Sequence, residues 1–194
     1  MKFEHKIIVD WVGEGSSVLD LGCGDGELLS LLVEEKGVHA QGTEIDEQAI
    51  YKCVAKGLSV YQEDIDTGLS GYPDGSFDFV ILSESLQQTK RPDYVLGEAL
   101  RVGKKLVLSF PNFGRYTVRF QILFSGKVPV TPALPFEWYD TPNLHFLSIS
   151  NFFDYCKKRD IKINNSFYVT KGKAVKILPN FFAETGIFLV SKEK

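Results

Sequence analysis

No stretch of this chain reaches the 18 or so consecutive apolar residues that a membrane-crossing helix needs. At the N-terminus, Phe3, Ile7, Ile8 and Trp11 are interrupted by Glu4, Lys6 and Asp10, the pattern of an amphipathic helix rather than a signal peptide. Cysteine is scarce. Cys23, Cys53 and Cys156 lie far apart, which excludes a disulfide framework and matches the usage of a reducing, cytoplasmic compartment. His5, His39 and His145 are equally scattered, so no metal-ligand spacing exists. Basic excess is missing too: 22 Lys and Arg against 25 Asp and Glu give a net charge of -3, the wrong balance for a nucleic-acid partner. The chain has no Gly-x-Ser-x-Gly nucleophile turn, and no linker, repeat or low-complexity tract divides it. With 44% hydrophobic residues, 1–194 is expected to form one domain.

The most informative residues present are Val18-Leu19-Asp20-Leu21-Gly22-Cys23-Gly24-Asp25-Gly26. Residues 17–21 read as a buried parallel strand, and 27–36 as a helix with Leu28, Leu29, Leu31 and Leu32 on one face. The glycines therefore sit in a strand-to-helix turn, where positive φ and a close ligand approach are tolerated. A dinucleotide site wants Gly-x-Gly-x-x-Gly; here the third glycine comes one residue early and Glu27 takes its place. Asp25 and Glu27 disfavour a diphosphate, whereas Asp20 at the strand end suits a ligand with an amino group and positive charge. S-adenosylmethionine is such a ligand, and the segment resembles motif I of the class I S-adenosylmethionine-dependent methyltransferases, with Gly22, Cys23 and Gly24 against the cofactor.

Two further acids follow at strand ends. Residues 38–43 lead into Glu44-Ile45-Asp46, about twenty positions past the glycine turn, where a carboxylate accepts both ribose hydroxyls. Asp46 fits the N-cap of a helix over 47–56 with Ala49, Ile50, Cys53 and Val54 inward. After the third strand, the methyltransferase resemblance implies that Asp64 and the Ile65 amide hold the adenine, and it adds Ile45 and Ser83 to the cofactor contacts.

Downstream, Tyr72-Pro73-Asp74-Gly75-Ser76 is a turn before a fourth strand over 77–82, Pro92 opens a helix, and 106–110 is a fifth strand. A helix over 149–159, capped by Ser148 or Ser150 with Phe152, Phe153 and Cys156 inward, and strands over 161–170 and 185–191 complete the pattern. Alternation of this kind predicts an α/β Rossmann-like, doubly wound, mostly parallel sheet of seven strands, its ligands at the carboxyl ends. Pro111-Asn112-Phe113 and Pro179-Asn180-Phe181 repeat a tripeptide, an echo that reads as coincidence.

Residues 111–145 are too long for an ordinary connection. They hold Phe113, Tyr116, Phe120, Phe124, Phe136, Trp138 and Tyr139, and three readings fit: a lid over the sulfonium, a helix over 116–124 packed on the sheet, or an apolar docking surface. The glycine turn, Tyr72 through Asp78, Ser109-Phe110-Pro111-Asn112-Phe113-Gly114 and Trp138-Tyr139-Asp140-Thr141-Pro142-Asn143-Leu144-His145 together resemble the MetW family of methionine biosynthesis. The resemblance implies a bacterial cytoplasmic protein with a class I methyltransferase fold that supports homoserine O-acyltransferase. Two functions follow. An enzyme would move the methyl group to a small-molecule acceptor, leaving S-adenosylhomocysteine, with His145 as candidate base and Tyr139, Asp140 and Glu84 behind it. A sensor would bind the same cofactor without a base and dock to the acyltransferase through 111–145.

Overall fold

The structure is a computed structural model describing residues 2–193. Its elements run α1 (Phe3–Trp11), β1 (Ser17–Leu21), α2 (Glu27–Lys36), β2 (His39–Glu44), α3 (Glu47–Ala55), β3 (Ser59–Gln62), β4 (Phe77–Ser83), α4 (Pro92–Val102) and β5 (Gly103–Pro111). Then come α5 (Tyr116–Ser125), α6 (Ile149–Lys158), β6 (Ile161–Thr170), β7 (Lys173–Ala174), α7 (Pro179–Phe182) and β8 (Thr185–Lys192). The strands form one sheet in the order β3-β2-β1-β4-β5-β8-β6-β7. β3, β2, β1, β4 and β5 are mutually parallel, and β8 enters antiparallel between β5 and β6. This is the expected α/β Rossmann-like architecture with one strand more than the seven predicted. The extra strand, β7, is two residues long and pairs back on β6 through Lys171 and Gly172, both at positive φ. Such a two-residue turn is usually marked by Asn-Gly or Asp-Gly, and Lys-Gly carries no such mark.

Strand periodicity divides the core. On β1, Leu19 and Leu21 face the layer of α4 and α6 with Val95, Leu96, Ala99 and Phe152, while Val18 faces α1 and α2 with Ile8, Val9, Leu28 and Leu32. α3 contributes less than its pattern suggests: Cys53 is its one fully buried residue, and Val54 is exposed because the helix lies beside the short, largely exposed β3. Phe153 is also exposed rather than inward; its ring meets Phe188 edge-on from the rim of α6. Asp46 and Ser148 do cap their helices, accepting from the Ala49 and Asn151 amides.

The repeated Pro-Asn-Phe is no coincidence in space. Asn112, 2% exposed, donates through Nδ2 to the carbonyls of Asn180 (3.1 Å) and Ala183 (3.0 Å), and its Oδ1 accepts from the Gly114 and Ile149 amides. Asn180 in turn accepts from the Ser150 amide. A Cβ on Gly114 would stand 2.5 Å from the Asn180 Oδ1, so the two copies clasp across a glycine. The end of β5, the start of α6 and α7 are thus fastened at the base of the 111–145 segment. Replacing Asn112 by Ala orphans two carbonyls and two amides, of which the Ala183 carbonyl and the Ile149 amide are buried, and should cost about 2–4 kcal/mol. Urea unfolding of the Asn112→Ala variant checks it; a loss below about 1 kcal/mol contradicts the clasp.

Candidate cofactor and acceptor cleft

At the carboxyl edge of β1, the glycine turn is stitched to β2. The Gly22 and Cys23 amides both donate to the Thr43 carbonyl, at 2.9 and 3.0 Å, and the Gly24 amide donates to Glu44 Oε2 at 2.8 Å. The Gly26 amide goes to the Cys23 carbonyl and the Glu27 amide to Asp25 Oδ1. These amides are therefore engaged within the protein, and the turn is not a phosphate cradle of open N–H groups. Gly26, at φ 76°, is required by packing as well as conformation, since a Cβ there would meet Leu58 at 2.5 Å.

Asp20, at the same edge, is 2% exposed and its Oδ1 has no hydrogen-bond partner. Burial first, and the nearby Glu44 second, push its carboxyl up to about 7. A buried acid with an open oxygen fits a cationic group arriving from the cleft. Glu44 is gripped differently: Oε1 accepts from the Ile45 and Asp46 amides at 2.8 and 3.0 Å, leaving its rim-side lone pairs for further donors. Asp64 caps the 3-10 turn Ile65–Thr67 through Oδ1, with its carbonyl accepting from Thr67 Oγ1.

Gly22, Gly24, Glu44, Ile45, Asp64, Ile65 and Ser83 share the wall of one cavity of about 470 Å³. Asp20, Gly22, Cys23, Gly24 and Ser83 line a second, smaller one of about 160 Å³. All nine cofactor positions expected from sequence meet in these two adjoining spaces. The sequence reading missed Glu63, Asp66, Ser85 and the 88–90 loop in the first, and Lys2 and His5 in the second. The loop after β4 carries no motif, and α1 reaches the cleft only through tertiary packing. His5 is held toward the neutral form chiefly by burial, opposed by Glu27, whose Oε2 lies 3.7 Å from its Nδ1.

A third cavity, about 390 Å³, opens on the far side of Glu84. Glu84, Gln87 and Gln88 form one wall; Pro132, Ala133, Pro135, Phe136, Pro142 and Asn143 of the 111–145 segment form the other. Among the described residues Glu84 alone lines all three spaces, and it sits at φ 57°, a conformation non-glycine residues seldom adopt. Its amide is fixed by the Ser109 carbonyl at 3.0 Å, and its carbonyl accepts from the side chains of Gln87 and Gln88. The two residues expected to be catalytic lie elsewhere. Tyr139 is 70% exposed, edge-on to Trp138, and lines none of these cavities. His145 lines none either; its amide donates to the Gln87 carbonyl at 3.1 Å, and its Nε2 is buried without a partner. Among the described residues no group of three or more His, Cys, Asp or Glu is arranged to hold a metal, and no helix is long and apolar enough to cross a membrane.

The architecture recurs in solved structures. A S-adenosylmethionine-dependent methyltransferase from Archaeoglobus fulgidus superimposes with a TM-score of 0.70 at 19% identity, over 96% of this chain and 90% of that one. The complex between the Haloferax volcanii Trm112 methyltransferase activator and the putative methyltransferase matches with a TM-score of 0.71 at 16% identity, over 99% and 90%. In sequence, the chain is 29% identical over 206 residues to the bifunctional methionine biosynthesis protein MetXA/MetW of Rhodopirellula baltica, covering all of this chain and 33% of the relative. The chain thus spans about a third of that protein's length. The family model of the methionine biosynthesis protein MetW matches residues 2–190, and the chain belongs to the MetW family.

Proposed function

We propose that the chain binds S-adenosylmethionine in the two adjoining cavities and transfers its methyl group to a small acceptor held in the third. The observation that carries this reading is the unpaired Oδ1 of buried Asp20 at the end of β1. A dinucleotide brings phosphates there; this cofactor brings an ammonium and a sulfonium. Glu44 would take the ribose hydroxyls, Asp64 and the Ile65 amide the adenine, and Asp20 with Gly22, Cys23, Gly24 and Ser83 the amino-acid end. When bound, the cofactor supplies an electrophilic methyl carbon. The protein's own work is alignment and exclusion of water, the first from Glu84 and the loop behind it, the second from the prolines and Phe136 of the far wall.

A second reading has its own support. The Rhodopirellula relative carries MetXA and MetW in its name as one bifunctional protein. In this chain α5 turns Leu123 and Phe124 outward, 71% and 80% exposed, and Trp138, 70% exposed, lines a surface hollow with Gln121, Val128 and Val130. Such an apolar face suits docking of the homoserine O-acyltransferase that the family resemblance implies, with cofactor binding serving as the signal.

Three outcomes test these readings. Glu44→Ala should weaken S-adenosylmethionine binding by about 2–4 kcal/mol in calorimetric titration, since two bonds to a charged group are lost. Undiminished affinity in a folded variant removes the ribose assignment. Asp20 gives a pH signature. Its folded pKa of about 7 lies above the ordinary carboxylate value, so the folded state binds the extra proton and stability falls as pH rises from about 4 through 7. In thermal melts Asp20→Asn should therefore flatten that decline, raising the melting temperature more at pH 8 than at pH 5, while weakening the cofactor. For docking, Phe124→Ser with Trp138→Ala should abolish co-purification with the acyltransferase and spare cofactor affinity; a complex that survives the double change rejects this face.

A further inference from the structure

The third cavity has a chemical sign. Its charged lining comprises Lys2, Glu4, Glu84 and Glu184, and these groups are unequally available. Glu184 is neutralised within the fold: Oε1 pairs with Arg115 Nη1 at 2.5 Å and Oε2 accepts from the Lys171 amide. Lys2 lies with Nζ 3.3 Å from Glu84 Oε2, both side chains being about half exposed. An exposed pair of this kind contributes about 0–1 kcal/mol, so an incoming ligand can displace it. The pair is also informative in itself, because a primary ammonium of the chain already rests on Glu84.

Gln87 supplies an independent observation. It is 4% exposed, lines this cavity and neither of the other two, and its Oε1 is buried without a donor. The amide cannot simply turn round to relieve this, because its Nε2 is committed to the Glu84 carbonyl at 2.7 Å. A buried carbonyl oxygen left open costs roughly 1–3 kcal/mol unless a ligand donates to it. Residues that carry acceptor atoms line this cavity, among them Gln87, whose buried Oε1 has no donor, Glu84 and Glu4. The opposite wall of prolines, Ala133 and Phe136 suits an apolar stem.

We propose that this cavity takes a small primary amine on an aliphatic stem, its nitrogen donating to Glu84 and to the Gln87 Oε1, and that this amine is the methyl acceptor. The inference rests on the methyltransferase reading above and specifies its substrate class. The amine enters as an ammonium, loses one proton to the Glu84 carboxylate and attacks with the freed lone pair. A nitrogen–carbon bond forms as the sulfur–methyl bond breaks, and the bonding pair returns to sulfur to give the neutral thioether. The methylated nitrogen carries the positive charge away, and Glu84 returns its proton to water at the exposed rim.

The test uses the full chain with S-adenosylhomocysteine present, and saturation-transfer NMR with 1,4-diaminobutane and n-butylamine against succinate and butyrate. The amines should bind and the carboxylates should not. Glu84→Gln and Gln87→Leu should each weaken diaminobutane about tenfold, the loss expected for one hydrogen bond to a charged group. Because Gln87 lies outside the cofactor cavities, Gln87→Leu should keep its affinity for S-adenosylhomocysteine, which also reports that the variant is folded. Should the carboxylates bind as well as the amines, or should S-adenosylhomocysteine bind with no amine preference, the acceptor assignment falls and the cofactor reading stands. Failure of the unaltered chain to bind S-adenosylhomocysteine overturns both.

Discussion

Much of the molecule turns on where the Glu44 carboxylate goes. Accepting amides from Gly24 on one side and from Ile45 and Asp46 on the other, it joins the glycine turn after β1 to the start of α3. A carboxylate held by three amides is a preorganised acceptor, because its orientation is already determined before any ligand arrives. It also sets the electrostatics of the neighbouring strand end. Asp20, buried within reach of that charge, has its carboxyl pushed up to about 7.

The parts of this arrangement that could be read from the chain are those written in local spacing. The apolar run before Asp20, the glycines after it and Glu44 some twenty residues on depend on strand and helix periods, which short windows of sequence contain. The Asn112 clasp was invisible for the opposite reason: it joins residues 68 positions apart, and no periodicity links Pro111-Asn112-Phe113 to its copy. Glu84 is a related case. Its importance comes from a positive φ and from standing where three hollows meet, and neither is encoded by residue type. Aromatic content predicted a special role for residues 111–145 without saying which members face inward. Phe113 packs on Phe146 with ring centres 4.7 Å apart, and Tyr139 points to solvent, whereas the prolines and Phe136 line the cavity.

The segment therefore has two faces with different chemistry. Its inner side closes over acceptor atoms contributed by the β4 loop, and its outer side carries the exposed leucine and phenylalanine of α5. Both are anchored to the sheet through the same Asn112 contacts with Gly114, Ile149, Asn180 and Ala183. Anything seated on the outer face would thus press on a structure whose other side forms the cavity wall.

Glu84 carries a consequence of its own. One side chain cannot present its carboxylate in full to two neighbours at once, so on the proposed function ligands in the adjoining hollows would not bind independently. Whatever factor the first occupant imposes on the affinity of the second is returned by the second to the first, as thermodynamic reciprocity demands. On the proposed function, Glu84 would be the one side chain through which each site senses the other.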